Sequence, residues 1–490
     1  MIWRDSSRIL AVLLGCILMG FYPADGQCRK PKVDPDLYRC GVQAILHPKG
    51  KTKQRKALPS KRGMLTDLET LTEDDLMSMA LDLKPLVERE SGLVFEGFPT
   101  FRRADHAEFR ESLQFESEVV VRRLYDAPEN VLDQMIQAQG SGGIVGKYGI
   151  KDKVIFLNTR STAGLVAVSK LPPEKMKDAV CLVLAHEMTH ALQDQAADLG
   201  RQLENFPDMD AFNGMRGVTE GHASFVEKRV AMAMGLEDIF WQLKEGGQGW
   251  GREGLIEPSA YETFALYGQG MYFMDHIYEH RGTKGVWEVI QKPPGTTTML
   301  YRFDQYSPSY PVPSKYIQTL KGIEQWLTKG DWAVINAHLG EYFLRKDTAG
   351  LDEDKIGAIL AHLEGAHQIH ALRRDREAEI RVLDFDNASA PYEYIQLLQA
   401  GQEKIAAAKS AASGVPWVVD VTPYEAIQGD AVVRRVVAPK GAHASRTESQ
   451  SVWVVRGKRL VVVNVSGFRP GLRMDWALEE VYKRLDALSE

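Results

Sequence analysis

Two histidines and a glutamate interrupt an otherwise apolar run in AVCLVLAHEMTHALQDQ, residues 179–195. No helix-breaking residue occurs between Pro173 and Gly200, so this stretch predicts one helix that begins at Pro173 and ends at Gly200. A buried, unpaired cluster of polar side chains would be costly. The pattern HEMTH, residues 186–190, therefore indicates that these side chains have partners in the fold. A partly exposed polar helix face is the alternative.

The spacing of the two histidines points to a metal ion. In a helix, His186 and His190 lie one turn apart and about 40° from each other around the axis. Two imidazoles so placed can bind one Zn²⁺ at about 2.0–2.1 Å each. Glu187 lies beside that face, where it can act on a water at the ion without being a ligand. The pattern therefore predicts one zinc ion per chain and a glutamate general base.

A zinc site needs a third protein ligand, and residues 215–235, MRGVTEGHASFVEKRVAMAMG, predict a second helix that supplies it. Glu220, His222 and Glu227 are the candidates. Glu220 and Glu227 share one helix face at i, i+7, whereas His222 points elsewhere. Glu220 is preferred because small residues beside it allow close packing against the HEMTH helix, and Glu227 is the alternative. Those small residues are Gly221, Ala223 and Ser224.

The N-terminus predicts export. Two arginines precede the apolar run ILAVLLGCILMGFY, residues 9–22, and Ala24-x-Gly26 follows as a cleavage site. The 14 apolar residues are fewer than the ~20 needed to span a bilayer. Residues 1–26 are therefore predicted to be a cleaved signal peptide of a secreted or periplasmic protein, with an uncleaved anchor as the alternative.

Composition and charge limit the classes of partner. The chain has 490 residues, 44% hydrophobic and 26% charged, with a formal net charge of −6, which is typical of a globular protein and disfavours nucleic-acid binding. Residues 27–65 are strongly basic and predict a flexible tether. Weak docking of this tether on anionic lipid or cell-surface polymer is the alternative. Cys28 and Cys40 within it can pair in an exported protein.

Shorter patterns predict the remaining elements. Residues 142–158 predict a hairpin that turns at 149–153. In the C-terminal part, three segments predict a small α+β unit: a helix, a hairpin turning at RGK, and a final amphipathic helix. These segments are residues 391–412, 451–467 and 472–488.

A histidine cluster in the same part of the chain carries a further alternative. Residues 371–379, ALRRDREAE, look like an amphipathic surface helix. His367 and His370, just before them, lie at i, i+3 and could bind a second metal ion. The exposed helical context disfavours such a site.

HEMTHALQDQ followed by TEGHA resembles the gluzincin metallopeptidases, the thermolysin-like clan of zincins. The chain is most similar to a poorly characterised group of exported microbial zinc proteases, whose shared blocks include Y-x-x-G-x-x-F. Here that block is Tyr267, Gly270 and Phe273, followed by GVWEVIQKPPGTTTML (285–300) and HLGEYFLR (338–345). The matching blocks run in order through roughly residues 95–350.

Two departures from the family pattern occur. The 29 residues between His190 and Glu220 exceed the spacing of thermolysin, and the His-Pro that often follows PP-x-[ST]-T is replaced by MLYRFDQY, residues 299–306.

The resemblance implies a role for each site residue. His186, His190 and Glu220 would bind zinc and leave one position open for water. Glu187 would take a proton from that water and pass it to the leaving amine.

The resemblance also implies supporting roles. Tyr267 and His222 are candidate donors to the oxyanion, with a core aromatic as the alternative for Tyr267. Asp194 would orient a ligand histidine. The hairpin at 142–158 would pair with extended substrate backbone.

We therefore expect an α+β fold of the zincin type, with a mainly helical metal-binding core beside a small mixed sheet and a C-terminal α+β unit. The expected organisation is a signal peptide, a tether, a protease domain and a C-terminal region. Their bounds are 1–26, 27–65, 66–348 and 349–490. The expected activity is zinc-dependent hydrolysis of a peptide or protein substrate. An exported binding or scaffold protein without turnover is the alternative.

Overall fold

The computed structural model describes residues 71–137, 144–247, 264–306, 315–329, 332–348, 351–373, 376–413, 417–423, 432–439 and 449–466. The predicted signal peptide (1–26), the tether (27–65) with Cys28 and Cys40, and the predicted last helix (472–488) lie outside these residues. The chain divides into two compact units between Lys346 and Asp347.

The first unit is mainly helical and contains a small sheet. Its described helices are α1 (Glu73–Ser91), α2 (His106–Leu124), α3 (Glu129–Gln137), α4 (Thr159–Val168), α5 (Met176–Ala197), α6 (Leu199–Asn205), α7 (Met209–Met234), α8 (Glu237–Gly247), α9 (Gly270–Gln291), α10 (Lys315–Lys329) and α11 (Glu341–Asp347). Its described strands are β1 (Thr100–Arg103), β2 (Gly146–Gly149), β3 (Val154–Leu157) and β4 (Ala333–His338). Helices and sheets together confirm the predicted α+β class.

The HEMTH helix, α5, lies at the centre of this unit. It packs against α1, α7 and β2, so residues on all its sides are buried. This burial explains its apolar flanks. The helix ends at Ala197, three residues before the predicted end, because Asp198 adopts a left-handed φ of 49°. The Asp198 side chain then caps α6 by accepting from the Arg201 amide at 3.1 Å, and Gly200 lies inside α6.

The predicted hairpin is confirmed as β2 and β3. The two strands pair antiparallel with Tyr148 opposite Ile155. β1 pairs parallel with β3, which gives a mixed sheet in the order β1-β3-β2. β2 is therefore an edge strand, and it packs on α5.

In its described residues, the second unit combines an antiparallel sheet with two helices. Its described helices are α12 (Glu353–Leu360) and α13 (Ala390–Ser413). Its strands, which pair in the order β5-β6-β10-β9-β8-β7, are β5 (Leu363–Arg373), β6 (Arg376–Phe385), β7 (Trp417–Pro423), β8 (Val432–Pro439), β9 (Ser449–Arg456) and β10 (Arg459–Ser466). The predicted helix at 391–412 and the hairpin turning at RGK are confirmed.

The prediction of a surface helix at residues 371–379 is wrong. Residues 371–373 belong to β5 and residues 376–379 to β6, and β6 also pairs with β10, about 80 residues further along the chain. That distant pairing overrides the local helical pattern. His367 is fully buried within β5, and His370 Nε2 lies 2.8 Å from Glu377.

Among the described helices, none is both long and apolar enough to cross a membrane.

The predicted second helix is confirmed as α7, which begins six residues earlier than predicted. Asp208 caps it by accepting from the Ala211 amide at 2.9 Å, and Gly235 ends it with a φ of 68°. Asp210, fully buried in the first turn, accepts from Thr297 Oγ1 at 2.5 Å and from His338 Nδ1 at 3.1 Å. The PPGTTTM and HLGEYFLR segments thus hold the beginning of α7.

Gly221 makes its close approach to α9, whereas the sequence predicts close packing against the HEMTH helix, α5. α7 does pack against α5, but a Cβ at Gly221 would lie 2.2 Å from the carbonyl carbon of Gly270, at the start of α9. A Cβ at Gly270 would lie 2.0 Å from the carbonyl oxygen of Gly217. Backbone meets backbone at this crossing, which only glycine permits.

We expect Gly221→Ala to lower the free energy of unfolding by about 1–3 kcal/mol or more, because the added methyl meets backbone that cannot move aside. Chemical denaturation followed by circular dichroism measures the change. Gly164→Ala is the control, because a Cβ there meets no atom within 4 Å inside α4. It should leave stability unchanged or raise it by about 0.5–1 kcal/mol. Equal stabilities for the two variants would contradict the proposed crossing.

Candidate metal centre

Three potential ligands converge between α5 and α7. One ligand atom each from His186, His190 and Glu220 lies within 4.8 Å of the other two. Oε2 of Glu220 is 3.2 Å from Nε2 of His186 and 3.4 Å from Nε2 of His190. Within the described part of the chain, this is the group of His, Cys, Asp and Glu side chains that has metal-ligand spacing.

Each of the two histidines also makes a hydrogen bond through Nδ1, the ring nitrogen that does not face Glu220. His186 donates from Nδ1 to Oε2 of Glu227 at 3.1 Å, and His190 donates from Nδ1 to Oε1 of Gln193 at 2.8 Å. Gln193 is itself fixed, because its amide nitrogen donates to the carbonyl of Thr219 at 2.8 Å. Such bonds set the ring orientation and leave Nε2 for a metal ion.

Glu227, the alternative third ligand, therefore lies behind His186 rather than beside His190. It accepts from Lys244 Nζ at 2.7 Å, and both side chains are almost fully buried. Burial lowers the pKa of His186, but hydrogen bonds to Glu220 and Glu227 outweigh it and raise the pKa to about 9. Sequence reasoning did not identify Lys244, since its helix, α8, carries no local signal that points to the site.

Glu187 accepts from the backbone amide of Tyr148, in edge strand β2, at 2.7 Å. Strand β2 and helix α5 can approach this closely because residue 146 is glycine. A Cβ there would lie 2.7 Å from Val183 Cγ1 and 3.0 Å from Glu187 Cγ. One carboxylate oxygen of Glu187 is thus anchored to the strand, which fixes the side chain beside the three ligands.

Asp194 does not orient a histidine, contrary to the prediction. Its carboxylate accepts from the Tyr148 hydroxyl at 2.7 Å, pairs with Lys153, and accepts from the Leu199 amide at 3.2 Å. It therefore ties the β2–β3 hairpin to the end of α5. Gln193, one position earlier, contacts the histidine, because i, i+3 residues are neighbours on a helix face.

Tyr267 lies against the group of ligands. Its ring stacks on that of His186 with centroids 5.8 Å apart and planes 19° from parallel. Burial, together with the charge of Glu220, raises the pKa of the Tyr267 hydroxyl well above its usual value, so the hydroxyl keeps its proton. It lies in a π-helical turn, Phe264–Gln269, and such turns are frequent at functional sites.

His222 is linked to His190 through the side chain of Gln193. It is fully buried, and its Nδ1 accepts from Gln193 Nε2 at 3.0 Å. Its ring makes a T-shaped contact with Trp287, with the ring centroids 5.0 Å apart. Burial lowers the pKa of His222 to about 3, so the ring is neutral. His222 does not line the cavity that contains His186, His190 and Glu220, so its position does not suit an oxyanion donor.

A cavity of about 120 Å³ opens beside the three ligands. Glu187 and Tyr267 line it together with the ligands, and Gly146, Lys147 and Tyr148 of β2 form one side. Apolar side chains from α6 and the first turns of α7 also line the cavity. These are Leu199, Leu203, Phe212 and Met215.

The donor chemistry fits a divalent transition metal. Two imidazole nitrogens and one carboxylate form the set that zinc takes at open, catalytic sites. Burial raises the pKa of Glu220, but the charges and hydrogen bonds of His190 and His186 lower it well below its usual range, so the carboxylate is ionised. The group can therefore hold a metal ion.

Comparisons with protein-family models, curated proteins and solved structures found no match to this chain.

Glu227→Gln should weaken Zn²⁺ affinity about 10–100-fold, because it removes the anion that orients His186. Glu220→Gln should weaken it more, because Glu220 faces both histidines. Competition with a zinc-sensitive chelating dye measures both affinities. Glu90→Gln is a control, since Glu90 pairs with Arg229 at 2.8 Å outside the cavity. A larger loss for Glu227→Gln than for Glu220→Gln would contradict this ligand assignment.

Proposed function

We propose that this chain is an exported zinc-dependent peptidase of the zincin type. Its ligands would be His186, His190 and Glu220, with one zinc ion per chain. The observation that carries the proposal is the convergence of these three donors beside Glu187 in one cavity. Hydrogen bonds at both Nδ1 atoms support it, because they orient both imidazoles before an ion binds.

The bound ion would supply Lewis-acid chemistry by lowering the pKa of a water and polarising the carbonyl of the scissile bond. Glu187, anchored by the Tyr148 amide, would accept the proton of that water. The water oxygen joins the carbonyl carbon, the C–N bond breaks, and the amine leaves with the proton that Glu187 held. Tyr267, with its raised pKa, keeps a hydroxyl proton to donate to the developing oxyanion.

The edge strand supports a peptide as the substrate. β2 has a paired neighbour on one side, β3, and its residues form one side of the cavity. An extended chain can add to such an edge by backbone hydrogen bonds. The 142–158 hairpin would thus present peptide backbone to the metal centre.

The remaining parts of the proposal rest on sequence. Residues 66–348 would form the protease domain and 349–490 a C-terminal α+β region, after a cleaved signal at 1–26. The protein would be secreted or periplasmic, with weak surface contact through the basic tether at 27–65. A binding or scaffold protein without turnover would share the metal site, so hydrolysis distinguishes the two functions.

Glu187→Gln should keep zinc and fold as the parent does, because the residue is not a ligand and the amide preserves its size. Its hydrolysis of peptides should fall by at least the ~10²-fold typical of losing a general base. A broad peptide library read by mass spectrometry, with metal analysis in parallel, measures both. Glu204→Gln is the control, since Glu204 is exposed on α6 and should change neither.

A fully active Glu187→Gln variant would reject this mechanism. A zinc-loaded parent that cleaves no peptide, before or after limited proteolysis, would favour the scaffold function.

His190→Ala should lose the bound zinc, because two protein ligands cannot replace the three that catalytic zinc sites use. Inductively coupled plasma mass spectrometry of the purified variant measures the zinc content. Full occupancy in this variant would show that the ion lies elsewhere. His276→Ala is a matched control, since His276 lies on α9 and does not line the cavity.

A further inference from the structure

His222 is a fully buried histidine that takes no part in the proposed reaction. Its ring makes a T-shaped contact with Trp287 and stacks on Phe225, with centroids 5.0 Å and 6.2 Å away. Its Nε2 is buried and has no hydrogen-bond partner among the described residues. An imidazole with an unsatisfied nitrogen is costly in a core, where an apolar side chain would pack without that cost. Any benefit of a histidine at this position therefore comes through its other ring nitrogen, Nδ1.

Nδ1 of His222 contacts Gln193, which lies on α5 three residues after His190. Nε2 of Gln193 is 3.0 Å from this Nδ1 and 2.8 Å from the carbonyl oxygen of Thr219. Oε1 of the same amide accepts from Nδ1 of His190 at 2.8 Å. Gln193 is fully buried, so both hydrogens of its amide and its oxygen find their partners inside the core.

The two partners on α7 fix which way round this amide lies. A carbonyl oxygen only accepts, so Thr219 requires the nitrogen of Gln193 rather than its oxygen. That nitrogen carries only hydrogens, so His222 accepts through a lone pair on Nδ1. Thr219 and His222 are three residues apart and share one face of α7. Together they take both N–H groups of the amide and leave Oε1 for His190.

The direction of the amide determines the tautomer of His190. In a neutral imidazole, an acceptor at Nδ1 keeps the hydrogen on that atom and leaves a lone pair on Nε2. With the amide reversed, its nitrogen would face Nδ1 of His190, and the ring hydrogen would move to Nε2. Nε2 lies 3.4 Å from Oε2 of Glu220 and is the atom that would bind a metal ion. A reversed amide would therefore prevent metal binding at His190.

We propose that His222 is a positioning residue for metal binding, which acts on His190 through the amide of Gln193. It accepts the second N–H of that amide, which would otherwise be buried without a partner, and so stabilises the direction that His190 needs. This inference rests on the metal site of the proposed peptidase, and it holds whether or not the chain hydrolyses peptides. It gives a role to the histidine of TEGHA, which lies outside the group of ligands and does not line the cavity.

A double-mutant cycle separates this role from packing. Gln193→Met keeps the length of the side chain and removes its amide, so it should weaken Zn²⁺ binding about 10–100-fold. His222→Leu should weaken binding about tenfold in the parent and should have no further effect in the Gln193→Met background, because the amide is then absent. Competition with a zinc-sensitive chelating dye measures each affinity. Equal losses in the two backgrounds would overturn the proposal.

His222→Asn tests whether the acceptor matters rather than the ring. Its Oδ1 can replace Nδ1 as the acceptor for Gln193, so this variant should recover most of the affinity that His222→Leu loses. An asparagine variant that binds zinc as weakly as the leucine variant would contradict the proposed role.

Trp287→Phe is the control for packing. It removes the hydrogen bond from Trp287 Nε1 to the Ser91 carbonyl, 2.8 Å long, and alters the ring that contacts His222, while the amide of Gln193 stays in place. Zinc affinity should not change, and circular dichroism shows whether each variant folds. A loss equal to that of His222→Leu would assign the effect to packing and reject the proposal.

Cobalt substitution gives a readout of His190 itself. In the Co²⁺-loaded protein, the Nδ1 hydrogen of each ligand histidine gives a strongly shifted proton magnetic resonance signal that is lost on exchange with D₂O. We expect two such signals, one from His186, which donates to Glu227, and one from His190, which donates to Gln193. His222→Leu should accelerate the exchange of one signal and leave the other unchanged. Unchanged exchange of both signals would refute the role of His222.

Failure of this inference is distinguishable from failure of the proposed function. If the parent binds neither Zn²⁺ nor Co²⁺, the metal site fails and this inference fails with it. If the parent binds zinc and a folded His222→Leu variant binds it equally tightly, only this inference fails. If the leucine variant does not fold, Gln193→Met decides, because parental zinc affinity in that variant would rule out any action through the amide.

Discussion

A row of buried charged side chains determines how the first unit packs. Four side chains form a row in space, each within 3.2 Å of the next: Lys244, Glu227, His186 and Glu220. A buried charge left without its partner costs several kcal/mol, so each member requires the one beside it. Because the members come from α5, α7 and α8, this requirement couples the positions of three helices. The ligand geometry is thus part of the packing of the core.

Each of the three polar residues that follow HEMTHAL has a structural role. Gln193 supports His190, and Asp194 ties the β2–β3 hairpin to the helix. Gln195 accepts from the Glu96 amide at 3.0 Å and so holds the loop before β1. One helical turn therefore connects the candidate metal centre to the edge strand β2 and to the loop before β1. A substitution in this turn would change ligand orientation and cavity shape together.

Residues that are not ligands shape the site through the crossing of α7 and α9. Gly221 and Gly270 let α7 and α9 meet backbone to backbone, which brings Tyr267 onto His186. Phe273, two turns of chain beyond Tyr267, is fully buried in the core. The Y-x-x-G-x-x-F pattern therefore combines a site residue, a contact glycine and a core residue. Such a pattern is expected where a helix packs closely on a cluster of buried polar side chains.

The sequence alone determined the elements whose signal is local: the HEMTH helix, the second helix, the β2–β3 hairpin, and the pairing of His186 with His190 at one turn. Those features follow from periodicity and turn chemistry within a few residues. Tertiary structure decided the rest. It placed Glu220 within reach of both imidazoles and Glu227 behind one of them, and it brought Lys244 and Arg216 to the site. It also placed residues 371–373 and 376–379 in two paired strands. These outcomes depend on contacts between segments distant in the chain, where packing and the pairing of buried charge outweigh local preference.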